Sequence, residues 1–185
     1  SAATTLNFNN STTAGAGGGL AILIASQLNV NVTGDLTFDG VTTTEFVGVG
    51  SGTGLVTLFA TNDVIFQTTD SSHNGALTVK ANNDIKVMVD VTTGGNFTAI
   101  ADNDTSGVGD FIADTGVTVT SSTGNIDITG FEIKENGTLT ASSGTISRTE
   151  TKPIVSAEEQ EQEQVDQGTQ STFTDTFTAP AESGC

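Results

Sequence analysis

One short phrase is written three times in this chain: Ala60-Thr61-Asn62-Asp63, Ala81-Asn82-Asn83-Asp84 and Ala101-Asp102-Asn103-Asp104. The intervals are 21 and then 20 residues. Two weaker copies, Ser121-Ser122-Thr123-Gly124 and Ala141-Ser142-Ser143-Gly144, continue the beat, each 20 residues further on. Self-similarity at this period marks a repeat architecture. One such repeat is too short to bury an apolar face alone, so neighbouring repeats must stack to make a core.

Each phrase lies between two alternating runs. Gly54-Leu55-Val56-Thr57-Leu58-Phe59 and Val64-Ile65-Phe66 flank the first, and Leu77-Thr78-Val79-Lys80 and Ile85-Lys86-Val87 flank the second. Val117-Thr118-Val119-Thr120 with Ile126-Asp127-Ile128, and Thr138-Leu139-Thr140 with Ile146-Ser147, flank the two weaker copies. Alternation of Val, Ile, Thr and Phe over such lengths is the signal of a half-buried strand. Helical spacing is absent from this region. The expectation is an all-β chain with rungs of about 20 residues, whose strands pair with the rungs above and below about 4.8 Å away. Leu58 or Phe59, Val79, Ala99 or Ile100, Val119 and Leu139 then form one inward column.

The polar phrase falls at the corner between two strands, where Asn and Asp bond the main chain locally. Stacking would align Asn62, Asn83 and Asn103 into an amide ladder. It would also align Asp63, Asp84 and Asp104, like charges about 5 Å apart that need solvent, donors or a cation. Calcium is the cation such oxygens would take, and a solvated turn is the other reading.

Repeats of the form Gly-h-x-h-x-Ala-x-x-(Asp/Gly)-h-x-h (h, an apolar residue) over Gly54 to Ser147 resemble those of filamentous-haemagglutinin-type proteins, large secreted bacterial adhesins and surface fibres. The resemblance implies a right-handed parallel β-helix in an extracellular setting. It implies no catalytic residue. Right-handedness also follows from the general preference of parallel crossovers.

Charge narrows the partners. Five Lys and Arg stand against 22 acids, a formal net charge of −17, which repels nucleic acid and anionic membranes. No apolar run is long enough to span a bilayer, so no membrane insertion is expected. Ten Phe occur without Trp or Tyr, which suits interior packing better than an exposed sugar-binding platform. The one cysteine, Cys185, allows no internal disulfide and is a candidate intermolecular link.

Three regions follow. Residues 1–53 carry irregular strands and the first rungs, with Thr5 to Asn9 reading as a free strand and Gly48 to Gly54 as a loop. Residues 54–149 carry the regular rungs. Residues 150–185 form a tail with eight acids against one Lys, a net of −7. In it, Ser156-Ala157-Glu158-Glu159 is a capping box for a short helix. Residues 171–178 alternate as an extra strand whose Phe173 and Phe177 need a sheet edge.

Neither end shows a capping helix, and open solenoid ends invite association. The leading expectation is therefore a secreted structural subunit. It would form a homopolymer, a filament or surface layer, by end-to-end stacking, with the tail strand added to a neighbour. The alternative is a module of a secreted adhesin that binds a surface partner. A β-helix polysaccharide-degrading enzyme is the minor alternative. The acids repeat regularly instead of gathering into one asymmetric site, and no cofactor other than calcium is suggested. The single His73 reads as an exposed loop residue.

Overall fold

The computed structural model describes residues 4–8, 12–14, 20–24, 27–39, 41–45 and 54–153. The chain divides into Ser1–Lys152, which holds every described strand, and Pro153–Cys185, of which only Pro153 is described. The expected tail helix, the strand at 171–178 with Phe173 and Phe177, and Cys185 all lie outside the described residues, as does the loop at 48–53.

Among the described residues the chain is all strand and turn. In chain order the strands are β1 (Thr4–Phe8), β2 (Thr12–Ala14), β3 (Leu20–Ile24), β4 (Gln27–Val32), β5 (Leu36–Phe38) and β6 (Val41–Glu45). There follow β7 (Leu55–Ala60), β8 (Val64–Phe66), β9 (Ser71–His73), β10 (Leu77–Ala81), β11 (Ile85–Val87) and β12 (Val91–Thr93). The last are β13 (Phe97–Ile100), β14 (Phe111–Ala113), β15 (Thr118–Ser121), β16 (Ile126–Gly130), β17 (Ile133–Glu135), β18 (Thr138–Ala141) and β19 (Ile146–Glu150). Each strand pairs in parallel with the strand three places along, giving three sheets. The first runs β1-β4-β7-β10-β13-β16-β19, the second β2-β5-β8-β11-β14-β17 and the third β3-β6-β9-β12-β15-β18. Successive three-strand units therefore lie one above another, an order compatible with a β-solenoid. Thr5 to Asn9 does not stand free: β1 pairs with β4 throughout, Leu6 opposite Val30 and Phe8 opposite Val32.

Alternation places every second side chain in one shared core drawn from all three sheets. Leu58, Val79, Ala99 and Ile128 form one buried column. Val91, Val119 and Leu139 form another, in the third sheet. The single column expected from the phrase spacing is thus two. The cause is an excursion after β13. Val56 opposes Leu77, 21 residues on, and Leu77 opposes Phe97, 20 on; but Phe97 opposes Ile126, 29 on. A strict beat of 20 therefore slips from the first sheet to the third between Ala101 and Ser121.

The excursion is built, not loose. Asp102 takes a left-handed φ of 53°, and its carboxylate accepts the Ser106 hydroxyl at 3.0 Å and the Gly107 N–H at 3.1 Å. The chain re-enters through Gly109, where a Cβ would stand 2.6 Å from the Asp102 nitrogen and 2.7 Å from the Asn83 oxygen. Only glycine fits so close an approach.

Candidate functional site

The chemically distinctive part of the molecule is the corner entering the second sheet. From β5 onward, the residue just before each strand of that sheet is acidic: Asp35, Asp63, Asp84, Asp110 and Glu132. Each aspartate carboxylate accepts the backbone N–H of its counterpart in the next unit. Asp63 N–H donates to Asp35 at 3.2 Å, Asp84 N–H to Asp63 at 3.1 Å, Asp110 N–H to Asp84 at 2.9 Å and Glu132 N–H to Asp110 at 3.1 Å. The backbone carbonyls complete the exchange, with Val64 N–H donating to Asp84 and Ile85 N–H to Asp110, both at 2.9 Å. A turn would otherwise leave these amides to water; here they continue the sheet's bonding around the bend.

The other two corners follow the same rule. Asp70 accepts Asp90 N–H at 3.2 Å, and Asp90 accepts Thr118 N–H at 2.7 Å. Asn96 accepts Asn125 N–H at 2.9 Å, and Asn125 accepts Thr145 N–H at 3.0 Å. Asn serves as well as Asp because only the acceptor oxygen is used.

Stacked carboxylates repel, and two lysines answer the repulsion. Lys86 bridges Asp63 at 2.6 Å and Asp84 at 3.1 Å. Lys134 bridges Asp110 at 2.5 Å and Glu132 at 3.3 Å. Lys152 adds a contact to Glu132. Burial alone would raise the Asp63 carboxyl, but Lys86, the Asp84 N–H and the Asn83 amide outweigh it and hold it below the usual range. Lys86 is held above its ordinary value: burial opposes this, and Asp63 and Asp84 overcome it. Lys152 and then Lys134 lower Glu132.

This geometry redraws the expected columns. Asp63 and Asp84 stack as anticipated, but Asp104 lies in the excursion, where its carboxylate accepts Ser106 N–H at 3.3 Å; Asp110 takes its place. The Lys86 ammonium stands between Asp63 and Asp84, two of the three carboxylates expected as calcium ligands. Among the described residues, no three His, Cys, Asp or Glu side chains come together as a metal site. The amides of Asn62 and Asn83 donate to Asp35 at 2.5 Å and Asp63 at 2.7 Å instead of to each other. The Asn103 amide donates to Asn82 at 3.4 Å. A carboxylate is the stronger acceptor, which is why the ladder is mixed and not amide on amide.

Asp35, Asp110 and Glu132 were missed because they lie outside the repeated phrase. A different signal marks them, an acid followed at once by apolar-x-apolar or its close variant: Asp35-Leu36-Thr37-Phe38, Asp110-Phe111-Ile112-Ala113 and Glu132-Ile133-Lys134-Glu135. Asp104 is followed by Thr105-Ser106-Gly107 and fails that test.

His73 is not an exposed loop residue. It lies in β9, 1% exposed, with its ring 6.5 Å from that of Phe38, and burial lowers its pKa to about 4.

The two ends of the described stack differ. At the β1 end Leu6 and Phe8, in register with buried Val30 and Val32, are 42% and 39% exposed. At the β19 end charged residues take over buried-face positions. Arg148 continues the column of Ile128, Glu150 that of Gly130, and Glu135 that of Ala113. Arg148 grips Glu135 through two bonds of 2.5 and 2.8 Å, and Glu150 accepts Ile133 N–H at 3.0 Å. With Ile133 these three line an open depression of about 330 Å³. No protein-family model matches the chain, and no curated protein or solved structure matches it.

Proposed function

We propose that this chain is a structural module of a secreted surface adhesin of the filamentous-haemagglutinin kind, a right-handed parallel β-helix whose three sheets close around their common core. It acts as an extracellular scaffold that presents its outer faces, and not as an enzyme. Its acids support that role, since those at the corners are engaged in bonding one unit to the next.

The observation that carries the choice of module over polymer is the charged β19 end. An end-to-end homopolymer, the expectation raised by the sequence, would bury Glu135, Arg148 and Glu150 at every junction. Desolvating such ions costs more than the pairing returns unless a partner supplies matched groups. The β1 strand, Thr4-Thr5-Leu6-Asn7-Phe8, carries no charge and offers none.

Negative-stain electron microscopy of the full chain at neutral pH tests this reading. Discrete particles are the expected result. Long fibres of uniform width would overturn it and restore the homopolymer.

A further inference from the structure

The excursion between β13 and β14 holds acids that the corner ladder does not use. Two carboxylates are buried among the described residues, Asp63 at 8% exposed and Asp102 at 7%. Lys86 neutralises Asp63. Among the described residues no cationic side chain pairs with Asp102; its bonds come from the Ser106 hydroxyl and the Gly107 N–H, both neutral. A buried charge without a countercharge is costly, and native proteins relieve it with an ion pair or a metal.

The residues after Asp102 say which metal. Asp102-Asn103-Asp104-Thr105-Ser106-Gly107 follows the calcium-loop pattern Asp-x-(Asp/Asn)-x-(Asp/Asn)-Gly, with Ser106 in place of the third acidic or amide residue. In such loops the first, third and fifth positions give side-chain oxygens, the sixth is the glycine of a sharp turn and the seventh gives its backbone carbonyl. Gly107 has a φ of 82°, which glycine adopts without strain. The Ser106 hydroxyl lies 3.0 Å from an Asp102 oxygen and 3.3 Å from the carbonyl oxygen of Val108, the seventh residue. Its one proton serves only one of them at a time. Asp104 Oδ1 stands 3.3 Å from the Ser106 nitrogen. With calcium about 2.3–2.6 Å from each ligand, neighbouring oxygens of its shell are about 3 Å apart, as the Asp102, Ser106 and Val108 oxygens are here.

We propose that this loop is a calcium site. Its ligands are the carboxylates of Asp102 and Asp104, the Ser106 hydroxyl and the Val108 carbonyl, with water completing the shell. Of the three acids expected as calcium ligands, Asp104 alone is used, and its partner is Asp102. The ninth position, Asp110, is committed to Glu132 N–H and Lys134, and the twelfth, where such loops carry a bidentate Glu, is Ala113. With so few protein ligands the dissociation constant falls in the range of extracellular modules, about 10⁻⁴–10⁻³ M. That range suits the extracellular scaffold proposed above, although the site stands on its own residues. Magnesium, which demands a near-ideal octahedron, binds less well.

Amide NMR spectra of the full chain, stripped of metal with a chelator and titrated with calcium chloride at about 0.15 M salt to screen the acidic surface, test the proposal. The expected result is one saturable set of shifts confined to residues 102–110. Magnesium chloride gives the same set at least tenfold more weakly. Asp104→Asn, at an exposed position, weakens calcium binding more than tenfold while the rest of the spectrum is retained. Asp102→Asn, which keeps an acceptor oxygen for Ser106 and Gly107, does the same. Asp127→Asn, in β16, leaves binding unchanged. Absence of saturation, binding indifferent to both loop variants, or shifts spread along the corner acids overturns the proposal and leaves the module reading intact. Fibres in the microscope would instead sink the module reading and leave the calcium site standing.

Discussion

Asp63 shows how one side chain can serve three purposes in a stack. It accepts the Asp84 N–H and the Asn83 amide through one oxygen and the Lys86 ammonium through the other. Replacing Lys86 by Met leaves two carboxylates facing each other without their shared cation. The loss should be about 1–2 kcal/mol by urea denaturation, smaller than for a fully buried pair because Lys86 is partly exposed. Because the folded Asp63 value lies below the unfolded one near 3.8, its contribution is present above that pH and is lost as pH falls through the folded value. His73 acts in a higher window. Its folded pKa of about 4 lies below the unfolded 6.5, so the unfolded chain binds the proton first. Its neutral form therefore contributes in full above about 6.5, and stability declines as pH falls toward 4, by about 3 kcal/mol over the window. Stability of wild type minus that of His73→Leu, measured from pH 7.5 to 4, should carry this slope. A difference that stays flat across that range would contradict the buried neutral imidazole.

At the scale of the element, the corner matters as much as the strand. Strands of three residues, such as β8 and β11, have few ladder bonds of their own, and the acid before each adds another at the bend. Asp84→Ala removes the acceptor for Asp110 N–H and a partner of Lys86, and should cost about 1–3 kcal/mol. Asp84→Asn keeps the acceptor oxygen, as Asn96 and Asn125 do in their corner, and should recover at least half of that loss in the same denaturation series. The strands themselves were legible in the sequence: alternation located β7, β8, β10, β11, β15 and β16 because one face of each is buried. Their stacking order was less so. The phrase at Ala101 looks like its predecessors, yet the chain then leaves on an excursion to Asp110, and nothing in spacing alone says which later strand resumes the sheet. The acid-before-strand pattern does separate Asp110, which precedes β14 and bonds to Asp84, from Asp104, which stays within the excursion.

At the scale of the whole unit Ser1–Lys152, the ladders make the units interdependent and the ends unlike. The neutral character of the β1 end is legible in the uncharged first 34 residues. The charged β19 end was not legible, since Arg148 and Glu150 become buried-face positions only once Ile146 is aligned with Ile126. Sequence alone therefore suggested two equivalent open ends and an endless stack. The central claim is that side-chain acceptors carry the bonding of the sheets around the corners from unit to unit. Residue-resolved amide hydrogen exchange measures this most directly. The account predicts that the N–H groups of Asp84, Asp110, Asn125 and Thr145, all outside strands, exchange as slowly as those of the strands they precede. Exchange at those four amides as fast as in solvated turns, beside protected strands, would contradict it.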